Sequence, residues 1–256
     1  MGGLNKSGEI VIPIKYEAEI RYSGEWGLTK LDGKYGFINR KGEVVFPFIY
    51  ESISFFSEGL ARATLNGKQG FINMEGETII PFEYDWAGNF TQGFVIVKKG
   101  NLWGHINKQG KIITPFIYEL TGDFNNGFAN VKKNGKSGRV DTNGQLIVPC
   151  LYDGMEGFYK DGLMLVMKIS ENGKKKGFVD IKGNEIIPCI YDNVKSFSEG
   201  LASVKKGNEW GFVNSLGKEV IPCKYIEVTN FLDGKSKVQL NNESFYIDKN
   251  GKRVKN

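Results

Sequence analysis

The stretch from Glu209 to Tyr225, EWGFVNSLGKEVIPCKY, contains the features on which the fold depends. A Trp-Gly pair opens a short apolar segment, an Asn-x-x-Gly turn follows, and a second apolar segment carries Pro222 and Tyr225. Asn at the first turn position can bond the backbone ahead of it, and Gly at the last supplies a positive φ. The stretch therefore predicts two β-strands joined by a tight turn.

Very similar stretches recur along the whole chain. All seven prolines share one register, with steps of 34 residues except for one of 39, and each is followed three residues later by tyrosine. They are Pro13, Pro47, Pro81, Pro115, Pro149, Pro188 and Pro222. A fixed step of this kind is the signature of a tandem repeat. Proline cannot donate a backbone hydrogen bond, so it must lie at a strand end, a bulge or an edge. Its constant register predicts that it ends its strand in every unit.

The local chemistry predicts an all-β fold. Apolar segments such as GLASVKK and KEVIPCKY are short and rich in β-branched residues, and no window has apolar residues at helical intervals. We expect tandem 34-residue repeats of about three short strands each, stacked as an open twisted solenoid because one unit cannot bury its apolar face alone. A seven-unit ring like a β-propeller is the alternative, although a propeller blade typically needs about 40 to 45 residues.

The repeats fill the chain, so we interpret residues 1–256 as a single repeat domain of seven units. The last unit is either incomplete or completed by the N-terminus, which offers a proline-containing strand without its first partner. A fragment of a longer repeat protein would show the same phase.

Composition excludes some classes of function. The net charge of +5, from 34 basic and 29 acidic residues, is too small for a dedicated nucleic-acid binder. No apolar run is long enough to span a bilayer, and the start MGGLNKSGEI does not resemble a signal peptide. Three cysteines cannot all pair, which favours a reducing compartment. We expect a cytoplasmic protein if the chain is complete, and make no prediction of localisation if it is a fragment.

The repeated motifs resemble a known family. WGHIN, WGFVN, GFIN and FSEGLA, followed by VIPCKY or IIPFEY, resemble the WG-containing repeats of bacteria, also described as KWG repeats. The resemblance covers almost the whole chain and implies a β-structured repeat without an established activity. Only Trp103 and Trp210 occupy the Trp position, and the other units carry Tyr35, Gln69, Ser137, Lys176 and Ser244. We therefore interpret the Trp-Gly pair as a structural element whose Gly permits close backbone approach.

Residues suited to catalysis are scarce. His105 is the only histidine, and Cys150, Cys189 and Cys223 stand where earlier units have phenylalanine. Equivalent atoms in neighbouring units lie at least about 4.8 Å apart, whereas zinc needs its thiolates within about 2.3 Å. A row of carboxylates after the repeat tyrosines is best interpreted as turn caps or a solvated edge. We therefore predict no enzyme, no metal site and no cofactor.

Stacking would turn equivalent positions into two candidate binding surfaces. The candidate aromatic row consists of Phe37, Phe71, His105, Arg139, Phe178 and Phe212. Because this row accepts His and Arg we expect it to reach solvent, where it could stack on sugars or anchor a peptide; in the alternative, the next unit covers the phenylalanines. The candidate basic rim consists of Lys98, Lys99, Lys132, Lys133, Lys205 and Lys206. These lysines either keep edges solvated or attract an anionic partner.

These observations favour a non-enzymatic β-repeat scaffold that binds a protein or peptide partner through its stacked face. The alternative is a carbohydrate or cell-envelope binding module that uses the aromatic row. The sequence does not identify the ligand.

Overall fold

Every regular element of the structure is a β-strand. The computed structural model describes residues 3–4, 10–158, 162–171 and 173–255. Within these residues no helix is present, and so none is long and apolar enough to cross a membrane. Two N-terminal strands, β1 (Gly3–Leu4) and β2 (Ile10–Ile12), pair with each other, and the remaining described strands form seven sheets of four. The predicted all-β class with tandem repeats is confirmed.

Each sheet takes four strands that are consecutive in the chain, in the order in which they occur, and the recorded pairs are antiparallel. Sheet I contains β3 (Arg21–Ser23), β4 (Trp26–Leu31), β5 (Lys34–Asn39) and β6 (Val44–Tyr50). Sheet II contains β7 (Ser52–Ile53), β8 (Ala61–Leu65), β9 (Lys68–Ile72) and β10 (Thr78–Tyr84). Sheet III contains β11 (Trp86–Ala87), β12 (Phe94–Lys99), β13 (Leu102–Asn107) and β14 (Ile112–Tyr118).

The same order continues through the later sheets. Sheet IV contains β15 (Leu120–Thr121), β16 (Phe128–Lys133), β17 (Lys136–Asp141) and β18 (Leu146–Tyr152). Sheet V contains β19 (Gly154–Phe158), β20 (Leu163–Ser170), β21 (Gly173–Asp180) and β22 (Glu185–Tyr191). Sheet VI contains β23 (Asn193–Val194), β24 (Leu201–Lys206), β25 (Glu209–Asn214) and β26 (Glu219–Tyr225). Sheet VII contains β27 (Glu227–Val228), β28 (Ser236–Leu240), β29 (Glu243–Ile247) and β30 (Arg253–Val254).

The chain forms two compact units, Met1–Asn130 with Asp141–Gln145 and Val131–Val140 with Leu146–Asn256. Sheets I to III belong to the first unit, sheets V to VII to the second, and the division runs through sheet IV. Within a unit, consecutive sheets stack and share one buried cluster, as Phe71 of sheet II does with Phe90 and Val97 of sheet III. No strand of one sheet pairs with a strand of another in the described ranges.

Each sheet has one strand more than the three predicted per unit. In sheets II to VI the additional strand directly follows the carboxylate after the repeat tyrosine, and in sheets II, III, IV and VI it has only two residues. In sheet II, for example, Ser52 pairs with Thr64 and Ile53 with Ala63. A strand of two residues is too short to produce a recognisable alternation of apolar and polar residues.

The repeat proline lies within the fourth strand of sheets I to VI, so the prediction that it ends the strand is wrong for these six copies, whereas Pro13 directly follows β2. In β10, Ile80 pairs with Phe71 and Tyr84 with Gln69, so four steps along β10 match two along β9. Pro81 lies in this bulge, and β10 is an edge strand of its sheet. A bulge on an edge strand accommodates a residue that has no N–H to donate.

The predicted Asn/Asp-x-x-Gly turns are confirmed. In sheet II, the Asn73 side-chain oxygen accepts hydrogen bonds from the backbone N–H groups of Glu75 and Glu77, at 3.1 and 2.8 Å. The Gly76 N–H donates to the Asn73 carbonyl at 3.1 Å, and Gly76 has a φ of 84°. The left-handed conformation explains why glycine ends the turn.

Candidate functional site

The two faces of a sheet pack against different neighbours, as sheet III shows. In the third strand of sheet III, Trp103 and His105 point to one face while Gly104 and Ile106 point to the other, because side chains alternate along a strand. The His105 ring lies 4.5 Å from that of Phe124, in the segment before the second strand of sheet IV. Ile106 instead joins the core cluster that contains residues of sheet II. We call the face toward the following sheet the outgoing face.

The candidate aromatic row lies on the outgoing faces and is buried. Five of its six members are at most 1% exposed, namely Phe37, Phe71, His105, Phe178 and Phe212. Within each unit a phenylalanine of the following sheet covers them, with centroid distances of 4.9 Å for Phe71 and Phe90 and 4.9 Å for Phe212 and Phe231. The expectation that this row reaches solvent is therefore wrong for these five residues, and the alternative that the next unit covers the phenylalanines is confirmed.

The sixth member of the row, Arg139, is half-buried. Burial lowers the pKa of its guanidinium from the ordinary value. Its long side chain can keep an apolar stem in the core while the charged end extends outward. A charged residue is thus compatible with a row that belongs to the core.

His105 is held by hydrogen bonds to both ring nitrogens. Nε2 lies 2.9 Å from the carbonyl oxygen of Gly122, and because a carbonyl only accepts, Nε2 carries the hydrogen. Nδ1 lies 2.9 Å from Oγ1 of Thr114, which also accepts a hydrogen bond from the His105 backbone N–H. Burial lowers the pKa of His105 below its ordinary value of 6.5, so the ring is neutral. With both nitrogens engaged, His105 fills a structural position.

The glycine of the Trp-Gly pair is required by a close approach of two backbones. A Cβ atom at this position would lie only 2.3 to 2.7 Å from the carbonyl oxygen of the residue before the repeat proline. The glycines concerned are Gly36, Gly70, Gly104, Gly138, Gly177 and Gly211. This geometry supports the interpretation of the pair as a structural element.

The Trp position tolerates different residues because either an aromatic contact or a side-chain hydrogen bond can form there. The Trp103 ring packs edge-on against Trp86 at 5.2 Å. At the same position in sheet II, the Gln69 side-chain oxygen accepts a hydrogen bond from the Ala87 N–H at 2.6 Å. In sheet V the Lys176 ammonium donates to the Asn193 side chain at 2.8 Å. The two polar residues each reach the first strand of the following sheet.

The candidate basic rim does not form one surface. The two lysines of each pair are neighbours on a strand, so they point to opposite faces. Lys98 and Lys205 lie over the rings of Trp103 and Trp210, at 5.2 and 5.8 Å. Their neighbours form ion pairs instead, Lys99 with Glu83 at 3.1 Å and Lys206 with Glu219 at 2.9 Å. Lys132 and Lys133 follow the same alternation in β16, where they are half-buried and exposed.

The carboxylates after the repeat tyrosines act as turn caps that also join successive sheets. Asp192 accepts a hydrogen bond from the Gly207 N–H in the hairpin of its own sheet at 2.7 Å. The Lys175 ammonium of sheet V pairs with the same carboxylate at 2.5 Å. Hydrogen bonds from Lys175 and Gly207 lower the pKa of Asp192. Glu51, Asp85 and Asp153 each accept a backbone N–H and pair with a lysine of the preceding sheet in the same way, so these carboxylates are committed to structural contacts.

The three cysteines are half-buried free thiols. Burial raises the pKa of each, and that of Cys189 to about 11. A thiol that stays protonated at neutral pH is a poor nucleophile and a poor metal ligand. Across the part of the chain that the structure describes, no group of three or more His, Cys, Asp or Glu side chains could hold a metal ion.

In sheets I, III, IV and V the fourth strand carries exposed apolar side chains that sequence reasoning missed. Two positions, the first residue of the strand and the residue before the tyrosine, hold apolar side chains that are 40 to 57% exposed. We call these residues the edge stripe: Val44 and Ile49 in sheet I, Ile112 and Ile117 in sheet III, Leu146 and Leu151 in sheet IV, and Ile190 in sheet V. The recurrence of Ile or Leu before the tyrosine was a visible signal, but an apolar residue in a strand is ordinarily assigned to the core.

The stacked sheets and covered rows define a tandem β-repeat fold. The chain belongs to the family described as WG containing repeat, whose model matches seven stretches, at residues 2–35, 35–68, 70–103, 103–136, 138–170, 177–210 and 210–243. A matched unit spans parts of two sheets: residues 35–68 include the last strand of sheet I and the first two strands of sheet II. No curated protein matches the chain.

Several solved structures are similar at low sequence identity. A eukaryotic initiation factor is 9% identical, with a TM-score of 0.39 over 89% of this chain and 72% of that one. PorZ, a surface component of the type-IX secretion system of Porphyromonas gingivalis, is 9% identical with a TM-score of 0.34, over 96% of this chain and 39% of that one. An extracellular domain of a one component system from B. thetaiotaomicron is 9% identical with a TM-score of 0.28, over 94% and 41%. Likeness at this level carries no argument about function.

Proposed function

We propose that this chain is a non-enzymatic β-repeat scaffold that binds a protein or peptide partner. The observation that carries the proposal is the edge stripe, where apolar side chains recur at equivalent exposed positions of four fourth strands, with Leu146, Leu151 and Ile190 in the second unit. Exposed apolar groups that cluster on a surface are typical of protein interaction sites. The contact surface differs from the stacked face expected at first, because that face is covered by the following sheet.

The repeat proline determines how such a partner would bind. An exposed edge strand ordinarily offers unpaired backbone groups to an added strand. In β18 and β22 the residues Pro149 and Pro188 lack an N–H, and the bulge displaces the register around them. Strand addition is thereby disfavoured. A partner would instead contact the side chains that flank the proline, such as Leu151 and Ile190.

The charged side chains near the edge stripe are compatible with binding of a protein partner. Near the stripe, the Lys168 ammonium pairs with the Glu185 carboxylate at 2.8 Å, so the two charges offset each other. An apolar surface between paired charges resembles the core and rim of an ordinary protein interface. Glycan binding has less support, because the aromatic row that would stack on sugars is buried.

The test is affinity capture from cell lysate with three forms of the purified chain. The first is the wild type and the second carries Leu151→Asp together with Ile190→Asp. The third carries Leu216→Asp, a matched control in a turn, where the leucine is 84% exposed. All three substitutions are at exposed positions, so the fold should persist, which thermal unfolding would verify.

We expect one protein to be captured by the wild type and by the control and to be lost with the stripe variant. Purified partner and chain should then bind with an affinity reduced at least about tenfold by the two aspartates. Equal capture by all three forms would contradict the use of the edge stripe. A turnover activity that a single substitution abolishes would contradict the non-enzymatic role.

A further inference from the structure

The position before the repeat tyrosine changes from apolar to basic along the second compact unit. The fourth strands of sheets IV, V and VI all belong to this unit. In sheets IV and V the position holds Leu151 and Ile190, which are 57% and 48% exposed. In sheet VI it holds Lys224, which is exposed as well. Because β22 and β26 pair with their third strands in the same register, Ile190 and Lys224 are equivalent, and a lysine continues the edge stripe.

These three fourth strands carry three charged residues, and two of them are neutralised. Glu185, the first residue of β22, pairs with Lys168 at 2.8 Å. Glu219, the first residue of β26, pairs with Lys206 at 2.9 Å. Lys224 takes part in no ion pair within the described ranges. Its ammonium is therefore the charge on these strands that can pair with a carboxylate of another molecule.

The following sheet places no charge opposite Lys224. In the first unit Glu83 holds the position before the tyrosine, and Lys99 of the following sheet pairs with it at 3.1 Å. Sheet VII carries Leu240 at the position equivalent to Lys99, which in both sheets comes two residues after a buried valine of the second strand. Leu240 packs against a core cluster of sheets VI and VII. The contact that neutralises Glu83 thus has no ionic counterpart at Lys224.

A second exchange beside Lys224 removes another carboxylate. In sheets IV and V the residue after the repeat tyrosine is an aspartate, and Asp192 of this set pairs with Lys175 at 2.5 Å. After Tyr225 the chain instead has Ile226, which is 50% exposed. Lys224 and Ile226 flank the buried Tyr225, so both side chains point away from the core. The result is one unpaired ammonium beside an exposed isoleucine.

We propose that this surface binds a peptide segment of a partner protein that combines apolar residues with an aspartate or glutamate. We call the surface the mixed patch, and it consists of Leu151, Ile190, Lys224 and Ile226. The partner's acidic side chain pairs with Lys224, and its apolar side chains cover the leucine and the two isoleucines. Complementary charge selects among partners, while the apolar contacts supply a desolvated centre. This inference rests on the proposed function as a protein-binding scaffold and adds the chemical class of the partner.

The test is a selection of random peptides of about 16 residues, displayed on phage, against the purified full chain. Stacked sheets lie about 10 Å apart, so three sheets span about 20 Å, which a helix covers in about 14 residues. We expect the wild type to enrich peptides that carry Asp or Glu beside apolar residues. The variant Lys224→Glu should enrich Lys or Arg at that place instead. The control Lys182→Glu, which reverses the charge of an exposed lysine in a turn of sheet V, should retain the acidic preference.

A selected peptide then gives the size of each contribution in isothermal titration calorimetry. Lys224→Met removes the charge and keeps an apolar side chain of similar length, and should weaken binding at least about threefold. The variant with Leu151→Asp and Ile190→Asp should weaken it at least about tenfold. The affinity of the wild type should also fall as salt is raised, because salt screens an exposed charge pair.

Absence of any enriched peptide, or enriched peptides without an acidic preference, would overturn the inference. The same acidic preference on Lys224→Glu would overturn it too. So would self-association of the chain that Lys224→Glu abolishes, since that result would assign the mixed patch to a second copy. None of these results decides the capture experiment, in which a partner lost with Leu151→Asp and Ile190→Asp would still support the edge stripe. Failure of this inference can therefore be told apart from failure of the proposed function.

Discussion

Sheets II and III share one architecture but differ at the aromatic row, where Phe71 occupies the position in one and His105 in the other. Both side chains are 1% exposed, and each contacts a phenylalanine of the following sheet, at 4.9 and 4.5 Å. The neighbours differ together with the row residue. Thr114 stands in sheet III where sheet II has Ile80, and the Thr114 hydroxyl forms a hydrogen bond with Nδ1 of His105.

A polar residue in one repeat need not indicate exposure of that position in all repeats. A buried polar group is tolerated when its hydrogen-bonding partners are present. The histidine finds these in Thr114 and in the carbonyl of Gly122.

The largest effect is expected when the histidine is placed in the sheet without partners. Phe71→His should lower the free energy of unfolding by about 4 kcal/mol, since Ile80 offers no hydroxyl and the lost ring leaves poorer packing. Urea denaturation would measure the change, with Phe71→Leu as the control for packing alone. Adding Ile80→Thr should recover part of the loss. Equal losses for Phe71→His and Phe71→Leu would show that partners do not matter.

A methyl group at the Gly of the Trp-Gly pair should have the next largest effect. Gly104→Ala would place Cβ 2.7 Å from the Thr114 carbonyl oxygen, and we expect a loss of about 3 kcal/mol. The matched control is Gly122→Ala, where no atom lies within 4 Å of the added group. That control should stay within about 0.5 kcal/mol of the wild type. Similar losses for both variants in thermal unfolding would argue against the close approach.

The reverse exchange, His105→Phe, should cost about 1 kcal/mol or less at neutral pH. The substitution removes the hydrogen bond to the Gly122 carbonyl, but Gly122 is exposed and water can replace the donor. The Thr114 hydroxyl keeps its bond from the backbone N–H of residue 105. Urea denaturation would measure the free energy of unfolding of His105→Phe and of Phe71→His under the same conditions. A loss for His105→Phe as large as that for Phe71→His would contradict the expected difference between the two sheets.

The smallest effect concerns pH. Burial holds the pKa of folded His105 below 6.5, although the Gly122 hydrogen bond and Asp123 oppose this. The unfolded chain therefore binds the proton first, so the stabilisation is full above pH 6.5 and is lost as pH falls toward the folded pKa. The difference in unfolding free energy between wild type and His105→Phe should shift against the wild type between pH 8 and pH 5. Parallel pH profiles for the two proteins would contradict a buried neutral ring.

Much of the fold could be predicted from sequence because its determinants are local. The turn of Asn73 and Gly76, like its equivalents, depends on a side-chain acceptor and a positive φ, which residue type reveals directly. The bulge at Pro81 was one of three options that the missing N–H left open. The choice among them depends on pairing with β9, which local sequence does not specify.

The candidate surfaces were harder to predict because they depend on contacts between sheets. Burial of Phe71 requires Phe90 of the following sheet, and the sequence around residue 71 does not indicate this contact. The exposed Ile190 has the same residue type as the fully buried Ile187 three positions earlier. Both lie on the edge strand β22, so what distinguishes them is the face to which each points, which depends on the pairing and on the bulge. The repeated positions can therefore be identified from the sequence, whereas the stacking of the sheets decides whether each side chain points to the core or to solvent.

The most direct test of the stacking between sheets is a double-mutant cycle between Phe71 and Phe90, in which each residue is replaced by leucine singly and both are replaced together. The central claim is that the phenylalanine of one sheet covers the row residue of the preceding sheet. Rings 4.9 Å apart in an edge-to-face arrangement should show a coupling energy of about 1 kcal/mol in urea unfolding. Losses that add within about 0.3 kcal/mol would contradict the claim, since the two rings would then not be in contact.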